Sequence, residues 1–170
     1  MNATPLLVIG YGNPGRQDDG LGPAFADAVA RLALPDVQVD SDYQLNVEDA
    51  AAAAASGGVL FVDADTAGPA PFSLRRLAPA TDGASFSTHS LRPEAVLALA
   101  RDLFGAEPET WLLGIRGYQF NEFGEGLSAQ AARNLAAALD WARDALPRRA
   151  LTPVRATAPD PAATSEEGDA

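Results

Sequence analysis

Residues 5–22 read Pro-Leu-Leu-Val-Ile-Gly-Tyr-Gly-Asn-Pro-Gly-Arg-Gln-Asp-Asp-Gly-Leu-Gly. A short apolar run rich in β-branched residues ends at Gly10, as a buried parallel strand does on entering a turn. A helix is then expected, because Leu21, Phe25, Ala28, Val29 and Leu32 recur at helical spacing. Asp18 and Asp19 stand where caps and first-turn acids favour its start, Asp18 being the better candidate for the cap itself.

The alternation continues outward. Asp36 to Tyr43 reads as a second strand, and Asn46 is placed to cap a helix from Val47 to Ala55 that Gly57-Gly58 ends. Val59 to Val62 is a third buried strand, leaving Asp63 to Gly68 with loop composition. Phe72 to Leu77, flanked by Pro69 and Pro71, suits an edge or antiparallel strand. Residues 79–87 read as a loop, and Ser90 as the cap of a helix carrying Val96, Leu97, Ala100, Leu103 and Phe104, stopped by Gly105. Trp111 to Ile115 is a further strand, Arg116 to Gly126 a polar connection long enough to be functional, and Ser128 the cap of the longest helix. Strands alternating with helices predict right-handed crossovers and a three-layer α/β/α arrangement around a mainly parallel twisted sheet. The expected division is one domain over residues 1–147 and a disordered tail over 148–170, where Pro, Ala, Thr and Glu replace any periodicity.

Composition narrows the chemistry. The chain has 170 residues, enough for one full core. All 12 basic residues are Arg, scattered through a chain of net charge −11, so no basic patch awaits a phosphate backbone and no nucleic-acid partner is expected. The lack of cysteine removes thiolate nucleophiles and sulfur-built metal sites, and the lack of lysine removes Schiff-base chemistry. The start has no basic segment before a long apolar run, so neither a signal peptide nor a membrane span is expected, and the cytoplasm is inferred. A monomer is expected.

In sheets of this kind ligands bind at the carboxyl ends of the strands. Asp19 follows the first strand, Asp63 the third, and His89, the only histidine, precedes a helix. Two carboxylates and an imidazole make an oxygen-nitrogen set suited to nickel, zinc or iron, and the adjacent helix dipole favours the neutral imidazole. Singly, each has a plainer reading: Asp19 as a helix cap, Asp63 and Asp65 as turn residues, His89 as a solvated loop residue. Gln44, Tyr118, Gln119, Asn121 and Glu122 either line a cleft or decorate polar loops. Gly10-x-Gly12-x-x-Gly15 matches the dinucleotide fingerprint, but two carboxylates near the following helix start would repel a pyrophosphate. No Gly-x-Ser-x-Gly elbow supports a serine hydrolase.

The stretch Val-Ile-Gly-Tyr-Gly-Asn-Pro-Gly-Arg-Gln-Asp-Asp-Gly-Leu-Gly, then Phe-Val-Asp-Ala-Asp, then Ser-Thr-His-Ser-Leu, resembles the hydrogenase maturation proteases in order and spacing, over roughly residues 5 to 146. The resemblance implies a phosphorylase/hydrolase-like fold and an aspartic-type endopeptidase. It implies one cut that removes a C-terminal extension from the precursor large subunit of a nickel-iron hydrogenase after nickel insertion. By this resemblance Asp19, Asp63 and His89 are the catalytic and metal-contacting residues, Gly12, Asn13 and Gln44 contact substrate, and nickel is sensed in the substrate. Asp19 stands where several relatives have Glu, and the Asp42 to Asp49 segment replaces a Gly-Thr-type turn. A nickel-checking assembly chaperone without proteolytic activity is the alternative. A nucleotide-binding domain and a peptidyl-tRNA hydrolase-like domain, suggested by Gly-Tyr-Gly-Asn-Pro-Gly, are further ones; the latter expects a histidine soon after that motif, and none precedes His89.

Overall fold

A computed structural model describes residues 4–81 and 91–155; residues 1–3, 82–90 and 156–170, His89 and Ser90 among them, lie outside the described residues. Strand parity organises the molecule. In β1 (Leu6–Tyr11), Leu6 and Val8 enter one core while Leu7 and Ile9 enter another. β3 (Gly58–Asp65) does the same, Leu60 and Val62 on the first side, Val59 and Phe61 on the second. A strand buried on both faces reads as a continuous apolar run, which is how these two stand in the sequence.

With β2 (Val37–Asp42), β4 (Phe72–Leu77), β5 (Thr110–Arg116) and β6 (Val154–Arg155), they form one sheet in the order β2-β1-β3-β5-β4-β6. β2, β1, β3 and β5 are parallel; β4 runs antiparallel to β5, and β6 antiparallel to β4. The first core is closed by α1 (Leu21–Leu32) and α4 (Ala129–Arg148), through Phe25, Val29, Ala138 and Leu146. The second is closed by α2 (Glu48–Ala54) and α3 (Pro93–Phe104), through Ala50, Ala53, Val96 and Leu97. The expected three-layer α/β/α fold with a mainly parallel sheet is present, and the Phe72–Leu77 strand is antiparallel as expected. Residues such as Phe25 and Phe61, with no exposed surface, each contribute roughly 1.5–3 kcal/mol of apolar burial.

Several boundaries differ from the sequence expectation. β3 continues through Asp63 and Asp65 because β5 pairs with it as far as Asp65↔Arg116. α2 starts at Glu48, and Asn46 reaches it by donating its backbone N–H to Asp49 Oδ2 at 2.8 Å, with no side-chain cap. α3 begins at Pro93 behind Arg92, since proline fits the first helical turn. Ser128 caps α4 as expected, accepting from the Ala131 N–H. The expected tail boundary at 147/148 needs correction. α4 ends at Arg148, Leu151 and Val154 pack against the first core, and Val154–Arg155 pair with β4, so residues 148–155 belong to the folded unit.

Candidate active site

The register between β1 and β3 builds the first part of the site. Gly10 is opposite Val62, so Tyr11 and Asp63 follow side by side, both on the face that Leu7, Ile9, Val59 and Phe61 occupy. The Tyr11 hydroxyl is a side-chain partner of the Asp63 carboxyl, and the Tyr11 ring meets Phe61 edge-on at 6.5 Å. Burial pushes the Asp63 carboxyl up to about 6; hydrogen bonds from Ala64 N–H and the Tyr11 hydroxyl hold it down, while the charges of Asp19 and Asp65 push it further up. The Tyr11 phenol is raised well above its ordinary value, by burial first and by the Asp63 charge next, so it stays a neutral donor.

The second part is the turn after β1. Gly12 sits at φ +142°, and a Cβ there would lie 2.1 Å from the Asp19 carbonyl oxygen, so no other residue fits. The chain folds back so that Asn13 N–H donates to Asp19 Oδ2 at 2.7 Å, while Asn13 Oδ1 accepts from Gly15 N–H at 2.9 Å. Every backbone N–H from Gly12 to Asp19 is engaged within the protein, with Asp42 O, Asp19 Oδ2, Asn13 Oδ1, Asn13 O, Gly124 O, Gln119 O and Arg16 O accepting in turn. A pyrophosphate would find no free donors in this turn, which argues against the dinucleotide reading.

Neither acid of the pair caps α1, whose capping position is Gly20 without a side-chain bond. Asp18 is completely buried and accepts from Tyr118 N–H, Gln119 N–H, Ser128 N–H and the Ser128 hydroxyl, at 2.7–2.9 Å. Burial alone would raise its carboxyl, and it is the largest single influence. The bonds from Ser128, Gln119 and Tyr118 together outweigh it and hold the group below the ordinary carboxylate range. Asp18 therefore fastens the 116–128 connection to the motif turn. Gln17 N–H to Gly124 O and Gly124 N–H to Gly15 O add to this, and Arg16 lies over the Phe123 ring. Tyr118, Gln119, Asn121 and Glu122, the cleft candidates of that connection, do not line the cleft.

Asp19 and Asp63 face one open cleft of about 560 Å³. Gly12 and Gln44 line it with them, whereas Asn13 acts behind it through its bonds to Asp19 and Gly15. His89 lies outside the described residues; Leu91, Arg92 and Pro93, which follow that segment, line the same cleft. Among the described residues no three His, Cys, Asp or Glu side chains cluster as a metal site. Asp65, the last residue of β3, holds the turn that follows it, its Oδ1 accepting from Ala67 and Gly68 N–H. Tyr11, Arg75 and Glu94 also line the cleft, and Arg75 stands 3.8 Å from Glu94 as an exposed pair of little energetic weight. Tyr11 is legible from strand parity with Leu7 and Ile9; Arg75 has no local signal, because its position depends on β4 pairing with β5.

No family model matches the sequence, and no curated protein matches it. Solved structures do. A NiFe hydrogenase maturation protease HycI from Thermococcus kodakarensis KOD1 is 24% identical with a TM-score of 0.64, over 84% of this chain and 92% of that one. A hydrogenase 2 maturation peptidase from Thaumarchaeota archaeon SCGC_AB-539-E09 is 27% identical with a TM-score of 0.61, over 84% of this chain and 97% of that one. The hydrogenase maturating endopeptidase HybD from E. coli is 21% identical with a TM-score of 0.65, over 88% of this chain and 96% of that one. The chain thus has the fold of the hydrogenase maturation proteases, and the resemblance carried by its motifs extends to its three-dimensional structure. Among the described residues no helix is long and apolar enough to cross a membrane.

Proposed function

We propose that this protein is an endopeptidase that removes the C-terminal extension from the precursor large subunit of a nickel-iron hydrogenase once nickel is in place. The observation that carries this reading is the meeting of Asp19, from the turn that follows β1, and Asp63, near the end of β3, in one open cleft of this fold. The chemistry is of the aspartic type. One carboxylate takes a proton from the attacking water as its oxygen bonds to the scissile carbonyl carbon, and a carboxyl returns a proton to the amide nitrogen as the C–N bond breaks. Asp63 suits the exchange, because its carboxyl, at about 6, carries a proton part of the time near neutrality. Asp19 keeps one oxygen held by Asn13 N–H and the other for water or cation.

Nickel enters as part of the substrate. Carboxylate oxygens joined by an imidazole nitrogen suit a borderline divalent ion, so Asp19, Asp63 and His89 are assigned to touch it. Bound there, the ion supplies Lewis acidity toward the scissile carbonyl. The proposed enzyme works as a cytoplasmic monomer with the precursor as its macromolecular partner.

Asp19→Asn, Asp63→Asn and His89→Ala are each expected to lower release of the extension from nickel-loaded precursor by about a hundredfold or more, read by intact mass. Full activity in all three variants discards the assignment. Wild-type protein that binds the precursor but leaves its mass unchanged is the nickel-checking chaperone instead.

A further inference from the structure

The two acids of the cleft are held from one short stretch, Tyr11-Gly12-Asn13. Asn13 N–H donates to Asp19 Oδ2 at 2.7 Å, and the Tyr11 hydroxyl donates to the Asp63 carboxyl. Asp19 comes from the turn after β1 and Asp63 from β3, so neither element alone fixes where the two acids stand relative to each other. The tethers from residues 11 and 13 do. The cross-strand row shows why the hold on Asp63 falls to Tyr11. Across the sheet the row reads Asp42, Tyr11, Asp63, Gly114 and Ser73, with adjacent strands about 4.8 Å apart. On the β5 side Asp63 faces a glycine, which has no side chain to offer. On the β1 side it faces a phenol that is itself fixed: the Tyr11 backbone pairs with Asp42, and its ring meets the buried Phe61 edge-on at 6.5 Å.

Resting on the endopeptidase reading, we propose that Tyr11 is a positioning residue, whose hydroxyl holds one oxygen of Asp63 so that the other is turned to the cleft shared with Asp19. The torsion that rotates an aspartate carboxyl is broad and close to two-fold, so the orientation of Asp63 has to come from a hydrogen bond. Catalytic groups work only when held within roughly 0.5 Å of their productive geometry. A phenol hydroxyl on a packed ring gives the carboxyl a direction and adds no positive charge to a site assigned to meet a cation. Arginine or lysine in its place would bring a charge that opposes the ion. Tyr11 lines the cleft with Asp19 and Asp63, so its hydroxyl acts at the site itself.

Tyr11→Phe keeps the ring and its contact with Phe61 and removes only the hydroxyl. With the full-length protein and nickel-loaded precursor, kcat is expected to fall about tenfold or more, while KM and the precursor Kd measured by calorimetry stay within about twofold of wild type. Crystal structures of the two proteins without precursor give a readout independent of turnover. The Asp63 carboxyl should occupy one rotamer in the wild type, and a rotated one or several in Tyr11→Phe. An unchanged kcat overturns the proposal, as does a weaker precursor affinity at unchanged kcat, which marks a contact made equally in ground and transition states. A lower kcat with the Asp63 carboxyl unmoved overturns it as well, since the hydroxyl then acts on the substrate directly. Wild-type protein that binds the precursor and leaves its mass unchanged overturns the endopeptidase reading, and the Asp63 rotamers still decide whether Tyr11 is the tether.

Discussion

The Tyr11 hydroxyl and the Asp63 carboxyl meet across the β1–β3 seam, one strand position beyond the Gly10↔Val62 pair. This places a carboxyl held at about 6 in a half-buried setting, where its charge is costly. The folded state binds this proton more tightly than the unfolded chain, whose value is 3.8, so stability falls as pH rises from that value through 6. Asp63→Asn keeps the shape and removes the charge. Above pH 7 the variant should be more stable than wild type by on the order of 2 kcal/mol, and by pH 4 the advantage should vanish. Thermal unfolding at pH 4, 6 and 8 measures it; an advantage independent of pH would show that the buried charge of Asp63 is not its source.

Asp18 gives the opposite sign. Its folded value lies below the ordinary carboxylate range, so its contribution is complete above that range and is lost as pH falls through the folded value. In Asp18→Asn an amide group faces the N–H donors of Tyr118, Gln119 and Ser128, leaving buried groups unsatisfied. A loss of about 3 kcal/mol is expected in urea unfolding at pH 7, shrinking under acid, with faster hydrogen exchange at those three amides. Unchanged exchange at Tyr118 and Gln119 would show that the clamp lies elsewhere.

Sequence legibility follows the range of the interactions. β1, β3 and their crossover helices can be read because burial on both faces and helical spacing are local patterns. Asp-Ala-Asp has turn composition and so points to a loop at Asp63, whereas pairing with β5 extends the strand. Asp18 reads as a cap from its neighbours alone because its true partners are 100–110 residues away. The convergence of Asp19 and Asp63 is legible through the rule for carboxyl ends of parallel strands. The walls of the cleft are not: Arg75 arrives through antiparallel pairing that leaves no mark within its own strand.

Gly12→Ala tests how closely the motif turn is built around the site. A methyl group at this position would meet the Asp19 carbonyl oxygen at 2.1 Å, and the φ of +142° is strained for any side chain. The backbone carrying Asp19 must move. Cleavage is expected to drop at least about a hundredfold, while the two cores packed on β3 and β5 preserve a cooperative unfolding transition. Activity within a factor of about two of wild type would mean that the position of Asp19 tolerates displacement.

The segment after α4 offers a test of where the folded unit ends. Leu151 and Val154 cover the first core, Arg149 donates to the Thr4 carbonyl oxygen, and Val154–Arg155 pair with β4, which would otherwise present an open edge. A chain ending after Pro147 loses all three, whereas one ending after Arg155 keeps them. The shorter chain should be less stable by about 2 kcal/mol, or roughly 6 °C in Tm, and more prone to aggregate through the bared β4 edge. Identical Tm values for the two truncations, with no difference in light scattering on heating, would return the domain boundary to Pro147.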